Sequence, residues 1–119
     1  MARILVCDDS AFMRMMLKKI LNEHGHNVVA EAGDGAQAVQ MFRRFRPDVV
    51  TMDITMPIMD GIQAVKLIRA EDPVARIVMV SAIGQRQFLA ESIAAGASAF
   101  LVKPFDPRKV VETINRVLK

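Results

Sequence analysis

Five short apolar runs divide this 119-residue chain, and segments with helical spacing separate them. The runs are continuous instead of alternating, which is typical of strands that are buried on both faces. They comprise residues 3–7, 28–30, 48–53, 77–80 and 100–102. Alternating strands and helices predict a doubly wound α/β fold, in which five helices cover a five-stranded parallel sheet.

Capping residues mark the predicted helices. Pro107 suits the first turn of the last helix, and the fourth helix is expected to run from Gln85 to Ala95, with Gly96 ending it. The other helices are expected to begin after side chains that cap a first turn well, and the predicted N-caps are Ser10, Asp34, Asp60 and Asp106.

Composition favours one globular domain over residues 1–119, because a hydrophobic content of 52% is enough for one core. The N-terminus lacks a secretory signal pattern and no apolar run is long enough to span a bilayer, so we expect a cytoplasmic protein without a membrane partner. The single cysteine, Cys7, lies in an apolar run and is predicted to be a buried core residue. The net charge is +3, but the basic residues are scattered without aromatic platforms, which disfavours nucleic acid binding.

Polar or ionisable side chains end four of the apolar runs. Asp8 and Asp9 follow the first run, Asp53 ends the third, Ser81 follows the fourth and Lys103 follows the fifth. Right-handed crossovers place the carboxyl ends of all parallel strands at one edge of the sheet, where ligands bind. We therefore expect these five side chains to meet there.

Three carboxylates in one place repel one another unless a cation lies between them. Oxygen ligands suit Mg²⁺, which uses one or two carboxylates, keeps several waters and leaves positions for phosphate oxygens. A zinc site is disfavoured because thiolate and imidazole ligands are missing, since His24 and His26 fall at the opposite edge as predicted solvated turn residues.

A carboxylate beside such a metal can attack phosphorus and form an aspartyl phosphate. Asp53 is the candidate nucleophile. Lys103 would then neutralise the oxygens of the transferred group, and the Ser81 hydroxyl would donate a hydrogen bond to one of them. The combination therefore favours phosphoryl chemistry.

Four motifs of the chain resemble those of response-regulator receiver domains in order and spacing. They are Asp8-Asp9-Ser10, residues 52–61, Ser81-Ala82 and Lys103-Pro104-Phe105. The resemblance covers the whole chain and implies a flavodoxin-like sheet with strand order 2-1-3-4-5. Within the family, the chain is most similar to stand-alone chemotaxis regulators of the non-enterobacterial type.

The resemblance implies a role for each site residue. Asp53 would accept a phosphoryl group from a histidine kinase. Asp9 and Asp53 would bind Mg²⁺ or Mn²⁺ directly, Asp8 would hold a metal-bound water, and the backbone carbonyl of Thr55 would supply another ligand. Lys103 would pair with the phosphoryl group.

The resemblance also implies a switch. Ser81 and Phe100 would form its coupled pair, and the bond before Pro104 would be cis. Enterobacterial members have Thr and Tyr at the positions of Ser81 and Phe100, and Asn at the position of Thr55. Loss of the phenol removes a hydrogen-bonding group from the output surface but leaves the phosphorylation site unchanged.

The implied partners are the chemotaxis histidine kinase CheA, the flagellar motor switch protein FliM and a phosphatase that acts on the phosphorylated regulator. The resemblance implies a monomeric signalling domain instead of an enzyme, although it would assist its own phosphorylation and dephosphorylation.

Three alternative functions compete with this interpretation. A single-domain receiver of another two-component or phosphorelay pathway would carry the same motifs. A phosphohydrolase of the haloacid dehalogenase type would usually need a second Asp at position 55, where this chain has Thr55, and its nucleophile would follow the first strand. A flavodoxin would need a phosphate-cradling loop after the first strand, where Asp8 and Asp9 would repel phosphate.

Overall fold

Five strands and five α-helices alternate along the chain in the computed structural model, which describes residues 1–119. The strands are β1 (Arg3–Cys7), β2 (Asn27–Ala32), β3 (Val49–Asp53), β4 (Ile77–Ser81) and β5 (Ala99–Val102). The helices are α1 (Ala11–Glu23), α2 (Gly35–Phe45), α3 (Gly61–Glu71), α4 (Leu89–Ala95) and α5 (Pro107–Leu118). The strands are all parallel, in the order β2-β1-β3-β4-β5, so the predicted fold and strand order are confirmed. None of the helices combines the length and the apolar character that a membrane crossing requires.

Each face of the sheet carries its own hydrophobic core, because successive strand residues point to opposite faces. The larger core has 18 buried residues and is completed by α2, α3 and α4. The smaller core has 12 buried residues and includes Leu17 of α1 and Ile114 of α5. Cys7 lies in the larger core, as predicted. The central strands β1, β3 and β4 are therefore buried on both faces.

Side-chain caps fix where four of the helices begin, and all four are the predicted ones. The Ser10 hydroxyl accepts a hydrogen bond from the backbone N–H of Met13, at 3.2 Å. A cap of this kind satisfies a free amide of the first turn and stabilises the helix by roughly 1 kcal/mol. The equivalent caps of α2, α3 and α5 are Asp34, Asp60 and Asp106.

The fourth helix begins later than predicted. A 3-10 turn spans Arg86–Phe88, and α4 starts only at Leu89, whereas the sequence pattern predicted a helix from Gln85. No side chain caps either segment. The backbone N–H of Gln85 instead donates to the carbonyl of Ala82 at 3.2 Å, which closes a turn in the place of the first helical turn. Gly96, with φ of 118°, ends the helix as predicted.

His26 is not the solvated turn residue that was predicted. The residue is only 9% exposed, and its Nδ1 atom accepts a hydrogen bond from the backbone N–H of Ala2 at 3.1 Å. The reason lies in the register of the sheet, because Asn27 pairs with Arg3 and so places His26 beside the residue that precedes β1. His24 is exposed, as predicted.

Candidate functional site

Parallel pairing brings the carboxyl ends of β1, β3, β4 and β5 to one edge of the sheet. Asp53 is the last residue of β3 and lies opposite Val80 of β4. Ser81 is the last residue of β4, and its carbonyl accepts a hydrogen bond from the backbone N–H of Lys103 at 2.8 Å. Asp8 follows β1 directly. The polar residues that end the strands are therefore neighbours in space although they are up to 95 positions apart in sequence, from Asp8 to Lys103.

Three carboxylates form the centre of this edge. Ligand oxygens of Asp8, Asp9 and Asp53 all lie within 4.8 Å of one another. Asp8 and Asp53 are buried, at 4% and 5% exposure, whereas Asp9 is exposed. The cluster therefore has a sealed inner side and one carboxylate that faces solvent.

Lys103 supplies the only amine in contact with these carboxylates. Its Nζ atom lies 2.7 Å from Oδ2 of Asp8 and 3.3 Å from Oδ2 of Asp53. The Lys103–Pro104 peptide bond is cis. With all groups ionised, three carboxylates and one ammonium leave a formal charge of minus two. A divalent cation would neutralise that charge.

The electrostatics of the cluster penalise ionised Asp53. Burial, together with the negative charge of Asp8, raises the pKa of Asp53 to about 6, although Lys103 opposes the shift. Burial by itself would lower the pKa of Lys103, but its hydrogen bond to Asp8 and the charge of Asp53 together raise that pKa above its ordinary value. Lys103 therefore stays charged, while Asp53 keeps its charge at neutral pH against an unfavourable environment.

The loop after β1 is held by backbone contacts and by one arginine. The backbone N–H of Asp8 donates to the carbonyl of Ala32 at 3.0 Å, and Oδ1 of Asp8 accepts from the N–H of Ser10 at 2.9 Å. The guanidinium of Arg14 donates to the Asp8 carbonyl at 2.5 Å and to Oε1 of Glu31 at 3.1 Å. Arg14 was not among the predicted site residues, because nothing local in the sequence signals a hydrogen bond to a strand end.

The loop after β3 brings α3 against the backbone of the site. The N–H of Gly61 donates to the carbonyl of Ile54 at 2.8 Å. A Cβ atom at Gly61 would lie 1.9 Å from the carbonyl oxygen of Asp53, a distance that no side chain can occupy. Position 61 therefore requires glycine for this close approach to the backbone that carries Asp53.

Two cavities meet at Phe100. The smaller has a volume of about 180 Å³ and is lined by residues that include Ser81, Gln85 and Phe100. The larger, of about 510 Å³, lies between β5 and α5 and is lined by residues that include Phe100, Lys109 and Arg116. Phe100 is half-buried and packs against the larger core. Its ring therefore stands between the strand end with Ser81 and the outer surface of α5.

The donor set fits a magnesium ion. Carboxylate oxygens are hard ligands, the oxygens are close enough to share one ion, and the formal charge of the cluster calls for a divalent cation. Thr55, whose carbonyl was predicted as a further ligand, lies two residues after Asp53 in the loop after β3, and its side chain is exposed.

Comparison with known proteins identifies relatives over nearly the whole chain. The family model for the response regulator receiver domain matches residues 4–115. The chemotaxis protein CheY of Thermotoga maritima is 52% identical over 117 residues, which cover 98% of each chain. CheY of Bacillus subtilis is 56% identical, over 98% of this chain and 97% of the relative.

A solved structure supports the same relationship. The CheX–CheY–BeF₃–Mg²⁺ complex from Borrelia burgdorferi is similar to this chain with a TM-score of 0.93 and 38% sequence identity, over 98% of this chain and 89% of that one. Family model, relatives and fold agree with the acidic cluster at the strand ends. The chain belongs to the response-regulator receiver domain family and is most like the chemotaxis regulators within it.

Proposed function

We propose that residues 1–119 act as one receiver domain, a chemotaxis response regulator that is activated by phosphorylation. Asp53 takes a phosphoryl group from the phosphohistidine of a histidine kinase, and the phosphorylated protein binds the flagellar motor switch. The observation that carries this proposal is the position of Asp53, a buried carboxylate at a strand end with Lys103 Nζ at 3.3 Å and two further carboxylates beside it.

Asp9 and Asp53 are the proposed direct ligands of Mg²⁺, with Asp8 holding a metal-bound water and the Thr55 carbonyl as a further ligand. When bound, the ion supplies positive charge to the oxygens of the transferred phosphoryl group. Mn²⁺ has the same charge and the same preference for oxygen, so it is expected to substitute.

In the transfer itself, an oxygen of the Asp53 carboxylate attacks phosphorus, the P–N bond to the kinase histidine breaks, and its electron pair returns to the imidazole. Asp53 acts as the nucleophile in its ionised form. Its pKa is raised only to about 6, so the carboxyl is mostly ionised at neutral pH. Lys103 moves its ammonium from Asp8 toward the new phosphoryl oxygens, and the Ser81 hydroxyl donates a hydrogen bond to one of them. The protein thereby supports both its own phosphorylation and the later hydrolysis.

Ser81 and Phe100 are the proposed switch. Both line the cavity of about 180 Å³, so inward movement of the Ser81 hydroxyl enlarges a space that the Phe100 ring can enter. Phe100 also lines the cavity of about 510 Å³ beside α5, and its movement changes the shape of that surface. Phosphorylation at the strand end is thus coupled to the surface formed by α4, β5 and α5.

The proposed partners are CheA as phosphodonor and FliM as target. The identity of 52–56% to CheY proteins favours chemotaxis over a phosphorelay in which the group is handed onward. A phosphatase for CheY-phosphate is a further proposed partner, and the relative from Borrelia burgdorferi forms a complex with CheX in the presence of BeF₃ and Mg²⁺.

The test is a titration of a peptide from the motor switch protein against the protein with and without phosphorylation. We expect tighter binding to the phosphorylated form by about 5- to 150-fold, the usual range for coupled sites. By reciprocity, the peptide must favour phosphorylation by the same factor. Equal affinity of the two forms for the peptide would contradict a role at the motor.

A further inference from the structure

The side chain of Gln85 joins two loops at the site edge of the sheet. Its Oε1 atom accepts a hydrogen bond from the backbone N–H of Ala82 at 2.7 Å, and its Nε2 atom donates to Oγ1 of Thr55 at 2.7 Å. The N–H of Ala82 requires an acceptor, so the orientation of the carboxamide is determined and its amino group faces Thr55. One side chain therefore connects positions that are far apart in sequence.

The two ends of this bridge lie beside the proposed phosphoacceptor and the proposed switch hydroxyl. Thr55 comes two residues after Asp53, and Ala82 directly follows Ser81. Gln85 also lines the cavity of about 180 Å³ together with Ser81 and Phe100. The bridge thus spans from the loop of the phosphoacceptor to the loop of the switch hydroxyl.

Gln85 closes the turn that begins at Ala82 with two hydrogen bonds. Its backbone N–H donates to the Ala82 carbonyl at 3.2 Å, and its side chain accepts from the Ala82 N–H, so two bonds join the same pair of residues. Gly84 has φ of 97°, which the reversal of the chain requires. Because the turn is closed on itself, a displacement of Ser81 relative to Thr55 must stretch or break the bond between Gln85 and Thr55.

We propose that the Gln85–Thr55 hydrogen bond is a latch, by which Gln85 positions Ser81 and holds the switch in its unphosphorylated arrangement. This inference rests on the proposed function. When the phosphoryl group on Asp53 draws Ser81 inward, Ala82 follows and the carboxamide of Gln85 leaves Thr55. The latch opposes activation in the unphosphorylated protein only, and its loss shifts the equilibrium toward the active arrangement.

The size of that shift follows from the exposure of the bond. A neutral hydrogen bond in contact with solvent has a modest net strength, which corresponds to about a two- to tenfold change in an equilibrium. Loss of the latch is therefore expected to raise the minor active population by that factor without making the switch fully active.

Four variants separate the latch from general damage. Gln85→Ala removes the donor, and Thr55→Val removes the acceptor while it keeps the shape of the side chain. Thr55→Ser keeps the hydroxyl acceptor, so its hydrogen bond to Gln85 is expected to persist. Gln87→Ala is the matched control, because Gln87 is an exposed glutamine of the 3-10 turn that follows Gln85 and makes no side-chain hydrogen bond in the structure.

The experiment uses backbone amide NMR of the ¹⁵N-labelled protein, with Mg²⁺ plus beryllofluoride as the probe of the active arrangement. In the wild type, this probe defines the two end positions of each resonance of β4 and β5. Without beryllofluoride, the resonances of Gln85→Ala and Thr55→Val should lie part of the way toward the active end position. The resonances of the double variant should lie where those of either single variant lie. Thr55→Ser and Gln87→Ala should stay at the wild-type position.

Two different outcomes would overturn the proposals. If beryllofluoride shifts the wild-type resonances but Gln85→Ala and Thr55→Val remain at the wild-type position without it, the latch is wrong and the proposed function stands. If Mg²⁺ and beryllofluoride leave the wild-type spectrum unchanged, the proposed function fails and the latch with it.

Discussion

Lys103 is ion-paired with Asp8, at 2.7 Å between Nζ and Oδ2, and this contact is shorter than its contact with the proposed phosphoacceptor. The ammonium is therefore held by Asp8 before phosphorylation and needs only a small movement to reach a new group on Asp53. The same contact means that Asp8 already has a cationic partner in the structure. Asp9 has none.

Metal binding should accordingly depend on Asp9 more than on Asp8. Asp9→Asn removes an exposed carboxylate that no ammonium neutralises, and we expect its affinity for Mg²⁺ to fall by about tenfold or more. Asp8→Asn should reduce the affinity less. Isothermal titration calorimetry with Mg²⁺ measures both, and an Asp9→Asn variant with wild-type affinity would show that this residue is not a ligand.

The raised pKa of Asp53 predicts an unusual pH dependence of stability. A carboxyl with a folded-state pKa of about 6 and an ordinary pKa of 3.8 stabilises the fold at low pH, and this contribution is lost as the pH rises through about 6. In the metal-free protein at pH 7.5, Asp53→Asn should therefore be more stable than the wild type, by roughly 1 to 2 kcal/mol after solvent screening.

Urea denaturation in EDTA at pH 5 and pH 7.5 tests this prediction. The advantage of Asp53→Asn should shrink at the lower pH, where the wild-type carboxyl is protonated, and should also shrink when Mg²⁺ is added at the higher pH. A variant that is less stable than the wild type under every condition would contradict an electrostatic penalty at this site.

His26 should have the opposite pH dependence. Burial lowers the pKa of His26, and the positive charge of the N-terminus lowers it further. The neutral ring accepts the hydrogen bond of the Ala2 N–H. The stability that His26 contributes is therefore present above the ordinary histidine pKa of 6.5 and is lost as the pH falls through the lower, folded-state pKa.

His26→Asn retains an acceptor for Ala2 but cannot be protonated. It should lose less stability than the wild type between pH 7 and pH 5, and His24→Asn, at an exposed histidine, is the control. Both comparisons belong in the Asp53→Asn background, so that the carboxyl does not obscure the result. Identical pH profiles with and without His26 would show that its burial has no energetic consequence.

The Ser81 hydroxyl should be needed for output and not for the chemistry. Ser81→Ala should still accept a phosphoryl group, because Asp53, Lys103 and the metal ligands are intact. It should lose most of the gain in affinity for the motor-switch peptide, since no hydroxyl is drawn toward the phosphoryl group. Ser81→Thr, which keeps the hydroxyl, is the matched variant. The same phosphorylation-dependent tightening in Ser81→Ala and the wild type would remove Ser81 from the link.

Local signals explain which features could be predicted from sequence. The caps Ser10, Asp34 and Asp60 act on amides three residues away, so a short motif contains the whole interaction. The gathering of Asp8 and Asp53 also follows from sequence, because parallel strands must end at the same edge. These features depend on short-range contacts or on topology alone.

Long-range side-chain contacts could not be predicted. The ring of His26 accepts a hydrogen bond from an amide 24 residues away. Gln85 and its partner Thr55 are 30 residues apart. The late start of α4 could not be predicted either. The sequence pattern after position 85 is helical, but Gln85 closes a turn with Ala82 instead of beginning the helix. Asp8 is the closer partner of Lys103 because of side-chain geometry, which the spacing of residues along the sequence does not indicate.

The proposed function depends most directly on Asp53 as the phosphoacceptor. The measurement is intact-mass analysis after incubation with a small phosphodonor and Mg²⁺. Glu23→Gln, which makes the same change of carboxylate to amide at an exposed position at the far end of α1, is the control. We predict one added phosphoryl group in the wild type and in Glu23→Gln, and none in Asp53→Asn. A full adduct in Asp53→Asn would contradict the proposed function.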